Sequence, residues 1–167
     1  MLEHWSEFYL LIGGASGAFI ALLFVAASIG AESKTQNSAT TRIYMSPVIV
    51  HFTAVLYASA VSLVPSNTRL SFALLIGGGA CGAIVYAVWL ASRVLRDNNV
   101  ETTDRLSYGV TPVIGYVGAL LAAIQIYRGA TGGPEILAGA LTLLLIINIR
   151  NAWDLTLFVS RRRAETK

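Results

Sequence analysis

The sequence predicts an all-α membrane protein of five transmembrane helices, with the amino terminus outside and the carboxyl terminus in the cytoplasm. Two observations lead there: five apolar runs each about twenty residues long, and Lys and Arg gathered almost entirely at the ends of those runs. The composition agrees. Hydrophobic residues make up 55% of the 167-residue chain and charged residues 13%, with a mean hydropathy of +0.65, which is not the balance of a soluble core.

The first run, from Phe8 to Ile29, is preceded by Glu3 and Glu7 and by no Lys or Arg. Its apolar stretch exceeds about twenty residues, so it reads as a retained span and not as a cleaved signal peptide. The second and third runs, from Ile43 to Val64 and from Leu70 to Ala91, are separated by Pro65, Ser66 and Asn67. The fourth, from Leu106 to Tyr127, ends before Gly129, Gly132, Gly133 and Pro134. The fifth extends from Ile136 to Ser160, and Pro134 with Glu135 is a good start for it. Proline needs no amide partner there, and an acid suits the positive end of the helix dipole.

Orientation follows from charge. An outside amino terminus puts Lys34, Arg42, Arg93, Arg96, Arg105, Arg161, Arg162, Arg163 and Lys167 in the cytoplasm and leaves only Arg69 and Arg128 outside. Expelling the fifth run from the membrane would place the Arg161 to Arg163 cluster outside, so the charge pattern requires that span despite its polar residues. Trp5 and Tyr9 then fall at the outer interface, where amphipathic rings prefer to sit.

An internal echo divides the chain further. Thr40, Thr41 and Arg42 through Ser46, Pro47, Val48 and Ile49 resemble Thr102, Thr103, Asp104 and Arg105 through Thr111, Pro112, Val113 and Ile114, with the proline-centred parts superposing at an offset of 65. The expected architecture is a single transmembrane domain over 1–167, comprising a first helix (1–30) and two parallel helical hairpin repeats (40–96 and 102–163) related by an axis along the membrane normal. Gly13, Gly17 and Ala21 give the first helix a small-residue packing face, and Gly78 with Gly82 repeats the GxxxG spacing in the third. Such a face permits close approach of another helix, within the chain or from a homo-oligomer.

The fifth run carries Asn148, Arg150, Asn151 and Asp154. Arg150 and Asp154 are one turn apart and form an expected ion pair, with the two asparagines flanking them within an arc of about 160°. A charge at the bilayer centre costs on the order of 3 kcal/mol, so this face is expected to point into the bundle or into water. At 1.5 Å per residue, Asp154 lies about 10 Å inside Arg161, Asn151 about 15 Å, and His51 about 13 Å inside Arg42. Tyr86 and Tyr116 come within a turn of that level, and the 65-residue offset sets Tyr116 opposite His51 and Tyr86 opposite Asn151. A cytoplasm-facing polar site of His51, Tyr86, Tyr116, Asn148, Arg150, Asn151 and Asp154 is the candidate that results. A snorkelling structural ion pair is the competing account of Arg150 and Asp154.

Several classes are excluded. A net charge of +3 concentrated at helix ends offers no basic face for nucleic acid. Cys81 is the single cysteine and provides no disulfide or thiolate metal site. The chain has no HExxH, GxSxG or P-loop, and the topology separates His4 from His51, so no catalytic residues, metal or cofactor are expected.

Two stretches, GAFIALLFVAASI (17–29) and IRNAWDL (149–155), resemble patterns in small uncharacterised bacterial polytopic inner-membrane proteins. That resemblance implies a bacterial inner membrane and supplies no activity. The expected function is a non-enzymatic accessory, modulator or assembly subunit acting through helix packing in the lipid bilayer, as a homo-oligomer or within a larger membrane complex. The alternative is a small channel, carrier or sensor whose polar site takes an ion, proton or small polar solute.

Overall fold

The computed structural model describes residues 3–31, 38–96 and 105–165. Lys34, Thr102, Thr103, Asp104 and Lys167, used in the orientation and repeat arguments, lie outside the described residues. Those described are all-helical, without strands. A short 3-10 turn, Glu3–Trp5, leads into α1 (Ser6–Ala31), followed by α2 (Ser38–Leu63) and α3 (Arg69–Arg96). A π-helical segment, Arg105–Val110, leads into α4 (Thr111–Arg128), and α5 (Gly133–Glu165) closes the chain. Five of these helices are long and apolar enough to cross a membrane, making this a multi-pass membrane protein.

The ends are fixed locally. At the start of α3, Thr68 and Ser71 exchange bonds: the Ser71 N–H donates to Thr68 Oγ1 at 3.1 Å and the Thr68 N–H to Ser71 Oγ at 2.9 Å. This reciprocal pairing satisfies two amides that lack helical acceptors. At the end of α4, Gly129 adopts φ 71° and its N–H donates to the Ile126 carbonyl at 3.1 Å, the left-handed stop that a side chain would strain. The Arg69 guanidinium lies against Gly129, so the 64–68 and 129–132 connections share one end of the bundle.

Proline shapes the head of α4. Pro112 has no N–H to return to the preceding turn. Side chains serve the carbonyls there: Thr111 Oγ1 donates to Leu106 O at 2.9 Å, and Asn151 Nδ2 donates to Ser107 O at 3.4 Å.

Helix α5 touches α1, α2 and α4, while α3 packs on α4 and α1 on α2. Phe52 and Val55 of α2, Phe72 of α3, Tyr116 and Ala122 of α4, and Leu137, Leu141 and Leu144 of α5 form the buried centre. Within the second hairpin an added Cβ would stand 2.6 Å from Leu144 Cγ at Gly115, 3.1 Å from Ala140 Cβ at Gly118 and 2.6 Å from Ile126 Cγ1 at Gly133. Between α2 and α3 contact is sparse.

The small-residue faces divide. Gly13 packs on α2, where a Cβ would meet Ser59 Cβ at 2.9 Å; Gly17, Gly78 and Gly82 meet nothing within 4 Å, and Ala21 is exposed. The glycines of α3 that meet neighbours are Gly77, in ordinary contact with Ala123 and Leu120, and Gly79, close against Tyr57.

Candidate intramembrane polar site

Two groups of buried polar residues gather around His51 and around Asn148 and Asn151, and the Arg150–Asp154 pair belongs to neither. In the first group, His51 Nδ1 lies 2.6 Å from the Tyr116 hydroxyl, the two residues being 65 apart in sequence. Both are almost wholly buried. The Tyr86 ring stands edge-on to His51 at 6.3 Å between centroids. Tyr86 in turn lies beside Trp89, whose ring carries Arg93 at 4.0 Å. Tyr86 thus meets His51, although the sequence offset pairs it with Asn151.

The second group lies where α5 meets α2 and the π-helical head of α4. Asn148 Nδ2 donates to the Val48 carbonyl at 2.8 Å, one residue past Pro47 and one turn before His51. Asn151 Nδ2 donates to Ser107 O, and the Tyr108 hydroxyl donates to the backbone carbonyl of Asn151 at 3.0 Å. Because each amide nitrogen faces a carbonyl acceptor, the orientation of both side chains is fixed by the network. Their Oδ1 atoms are buried and have no hydrogen-bond partner. An unpaired buried carbonyl-type oxygen costs on the order of 1 to 3 kcal/mol, so two of them on successive turns of one helix are an invitation to a donor or a cation.

Arg150 and Asp154 face the other way. Their side chains are 42% and 41% exposed, with Arg150 Nε 3.8 Å from Asp154 Oδ2, and Trp153 beside them is also exposed. The structure does not bring this pair to His51 or Tyr116. The reason is angular: an arc of 160° on α5 straddles the boundary of its buried face, with Asn148 and Asn151 inside and the ion pair outside.

Sequence reasoning passed over Ser107, Tyr108, Gly115 and Gly118. Pro112 was the available signal for the first two, because an N–H missing from a helix obliges the neighbouring carbonyls to find other donors. Among the described residues no group of His, Cys, Asp and Glu is arranged to hold a metal ion. Comparison with family models, with curated proteins and with solved structures finds no match to this chain.

Proposed function

We propose that the chain is a carrier or sensor of a bacterial inner membrane whose intramembrane polar site binds a small monovalent cation, ammonium included. The observation that carries this reading is the pair of unpartnered, buried Asn148 and Asn151 oxygens. Both are acceptors, so the complementary ligand is a donor or a monovalent cation and not an anion. The amino terminus lies outside and the carboxyl terminus in the cytoplasm, as the distribution of Lys and Arg requires.

The body is one added helix and two parallel hairpins, α2–α3 and α4–α5. Support comes from Pro47 and Pro112, buried at corresponding positions of the two halves, where interrupted helices are the best sequence pointer to a transporter's binding site. A further support is the His51–Tyr116 bond: residues equivalent under a two-fold axis touch each other only on that axis, and these two are 65 apart.

The test is thermal unfolding of the purified protein in choline, lithium, sodium, potassium and ammonium chlorides at equal ionic strength. One of the four small cations should raise Tm above the choline value, by about 2.7 kcal/mol of stabilisation at a hundred times Kd. Asn148→Leu and Asn151→Leu should remove the difference. Equal Tm in all five salts refutes the reading. Flux of the stabilising ion into proteoliposomes then separates a carrier from a sensor.

A second reading, an accessory subunit docking on another membrane protein or a second copy, is favoured by the outward Arg150, Trp153 and Asp154 and by the open Gly17. Native mass spectrometry of the chain extracted from its own membrane reports copy number and retained partners. Gly17→Ile should abolish that assembly, whereas Gly13→Ile would damage the α1–α2 contact itself.

A further inference from the structure

The residues that lead into α4 are wound more loosely than the helix they enter. Arg105–Val110 is π-helical, a winding in which a carbonyl accepts from the amide five residues on and not four. The Thr111 side chain keeps the same count: its Oγ1 donates to Leu106 O, five residues back, at 2.9 Å. Ser62, Thr142 and Thr156 instead reach back four residues, to the carbonyls of Ala58, Ala138 and Ala152, as hydroxyls in an α-helix do.

Two registers are open to this head, and Pro112 takes one backbone bond from each. In the π register the amide that would serve Ser107 O is that of residue 112, which proline lacks. In an α register Ser107 O takes the Thr111 N–H, and Tyr108 O is the carbonyl that loses its donor. The choice therefore passes to side chains, and Asn151 makes it. Its Nδ2 donates to Ser107 O at 3.4 Å, the carbonyl that the π register leaves to it, while its own backbone carbonyl accepts from the Tyr108 hydroxyl at 3.0 Å. A slip to the α register would turn the segment by about 100°, one residue's worth, and carry Tyr108 away from α5.

Asn151 is also half of the proposed cation site, through the Oδ1 that has no partner. An amide is one conjugated group, so a cation that draws electron density from Oδ1 makes the Nδ2 hydrogens better donors, as linked hydrogen bonds polarise one another. The bond to Ser107 O, at 3.4 Å, is longer than an ordinary N–H···O bond and has room to shorten. The π register holds that bond and the α register does not, which gives a bound cation a different interaction with each state.

We propose that the head of α4 is a two-register switch, held π-helical by a cation at the asparagine oxygens and released toward the α register when the cation leaves. The switch rests on the cation site proposed above and gives its sensor form an output, at the end of α4 that faces the cytoplasm on the proposed orientation. Reciprocity follows: whatever favours the π register tightens cation binding by the same factor.

The test is amide hydrogen exchange, read by peptide mass spectrometry, on the full chain in nanodiscs. It compares choline chloride with whichever of lithium, sodium, potassium or ammonium chloride raises Tm. To change register, the Val110 and Thr111 amides leave one carbonyl before taking the next, and they exchange while doing so. The cation should slow exchange over 105–111 roughly ten-fold, equivalent to about 1.4 kcal/mol, and leave the 129–132 connection at the other end of α4 unchanged. Pro112→Ala restores the missing amide and completes the α register, so the slowing should vanish while the Tm shift persists at up to about ten-fold more cation. Tyr108→Phe keeps both oxygens but removes a contact of the π register; it should speed exchange in choline and weaken cation binding by the same factor. A Tm shift with unchanged exchange over 105–111, or slowing that persists in Pro112→Ala, overturns the switch and leaves the cation site standing. Equal Tm in all five salts refutes the cation site and the switch with it.

Discussion

Replacing Gly115 by Ala adds a single carbon to a tight contact between the middles of α4 and α5, and its effect can be worked from distances. The new Cβ would stand 2.6 Å from Leu144 Cγ and 2.7 Å from Leu144 Cδ2, against an optimal carbon separation of about 3.5 to 4.0 Å. Leu144 is only 1% exposed, so the added carbon has to displace a packed interior side chain. Overpacking of this kind costs about 1 to 3 kcal/mol, offset by about 1 kcal/mol from the better helix propensity of alanine. Gly115→Ala is therefore expected to destabilise by roughly 0 to 2 kcal/mol. At Gly82, with no atom within 4 Å, the same substitution keeps only the propensity gain. The two variants should differ by about 1 to 3 kcal/mol, which at about 2 to 4 °C per kcal/mol separates their Tm values measurably in matched nanodiscs. Combining Gly115→Ala with Leu144→Ala should be less damaging than the sum of the two by about 0.5 to 3 kcal/mol. If Gly115→Ala melts at or above Gly82→Ala, the hairpin is not packed as described.

A double-mutant cycle on His51→Phe and Tyr116→Phe should return a coupling of about 0.6 to 1.7 kcal/mol, the range for hydrogen bonds between membrane helices; zero coupling would deny the 2.6 Å bond. The joint change Arg150→Ala and Asp154→Ala should shift unfolding by less than about 1 kcal/mol, since a half-exposed pair at 3.8 Å contributes little; a much larger loss would mean that the pair is covered. Tyr57→Phe removes the bond from α2 to the Leu75 carbonyl and should lower stability by about 0.6 to 1.7 kcal/mol; an unchanged Tm would remove the bond from the account.

The helices were legible in the sequence because spanning a bilayer imposes one crude demand, an unbroken apolar run of sufficient length. Their pairing was only partly legible. GxxxG spacing singled out Gly13 and Gly17 alike, yet only Gly13 meets a neighbour, because spacing says which residues share a face and not which face is covered. Gly115 and Gly118, at i and i+3, carry close contacts to α5 without that signature. The same limit governed α5. Helical periodicity grouped Asn148, Arg150, Asn151 and Asp154 on one arc, and the burial boundary runs through that arc because it is set by α2 and the head of α4. Counting residues from the charges at the helix ends brought Tyr116 within a turn of His51, and the two side chains lie 2.6 Å apart. The π-helical segment before Pro112 left no hydropathy trace; it answers to the loss of one N–H.

The central claim is a five-span protein with its amino terminus outside, and substituted-cysteine accessibility tests it most directly. In a Cys81→Ala background, single cysteines at Ser66 and Ala130 in the α2–α3 and α4–α5 connections should react with a membrane-impermeant maleimide added to intact cells. A cysteine at Asn98, between α3 and α4, should react only after the membrane is opened. Labelling of Asn98→Cys in intact cells, with Ser66→Cys and Ala130→Cys protected, would invert the orientation. Equal labelling of all three would contradict the membrane-spanning arrangement itself.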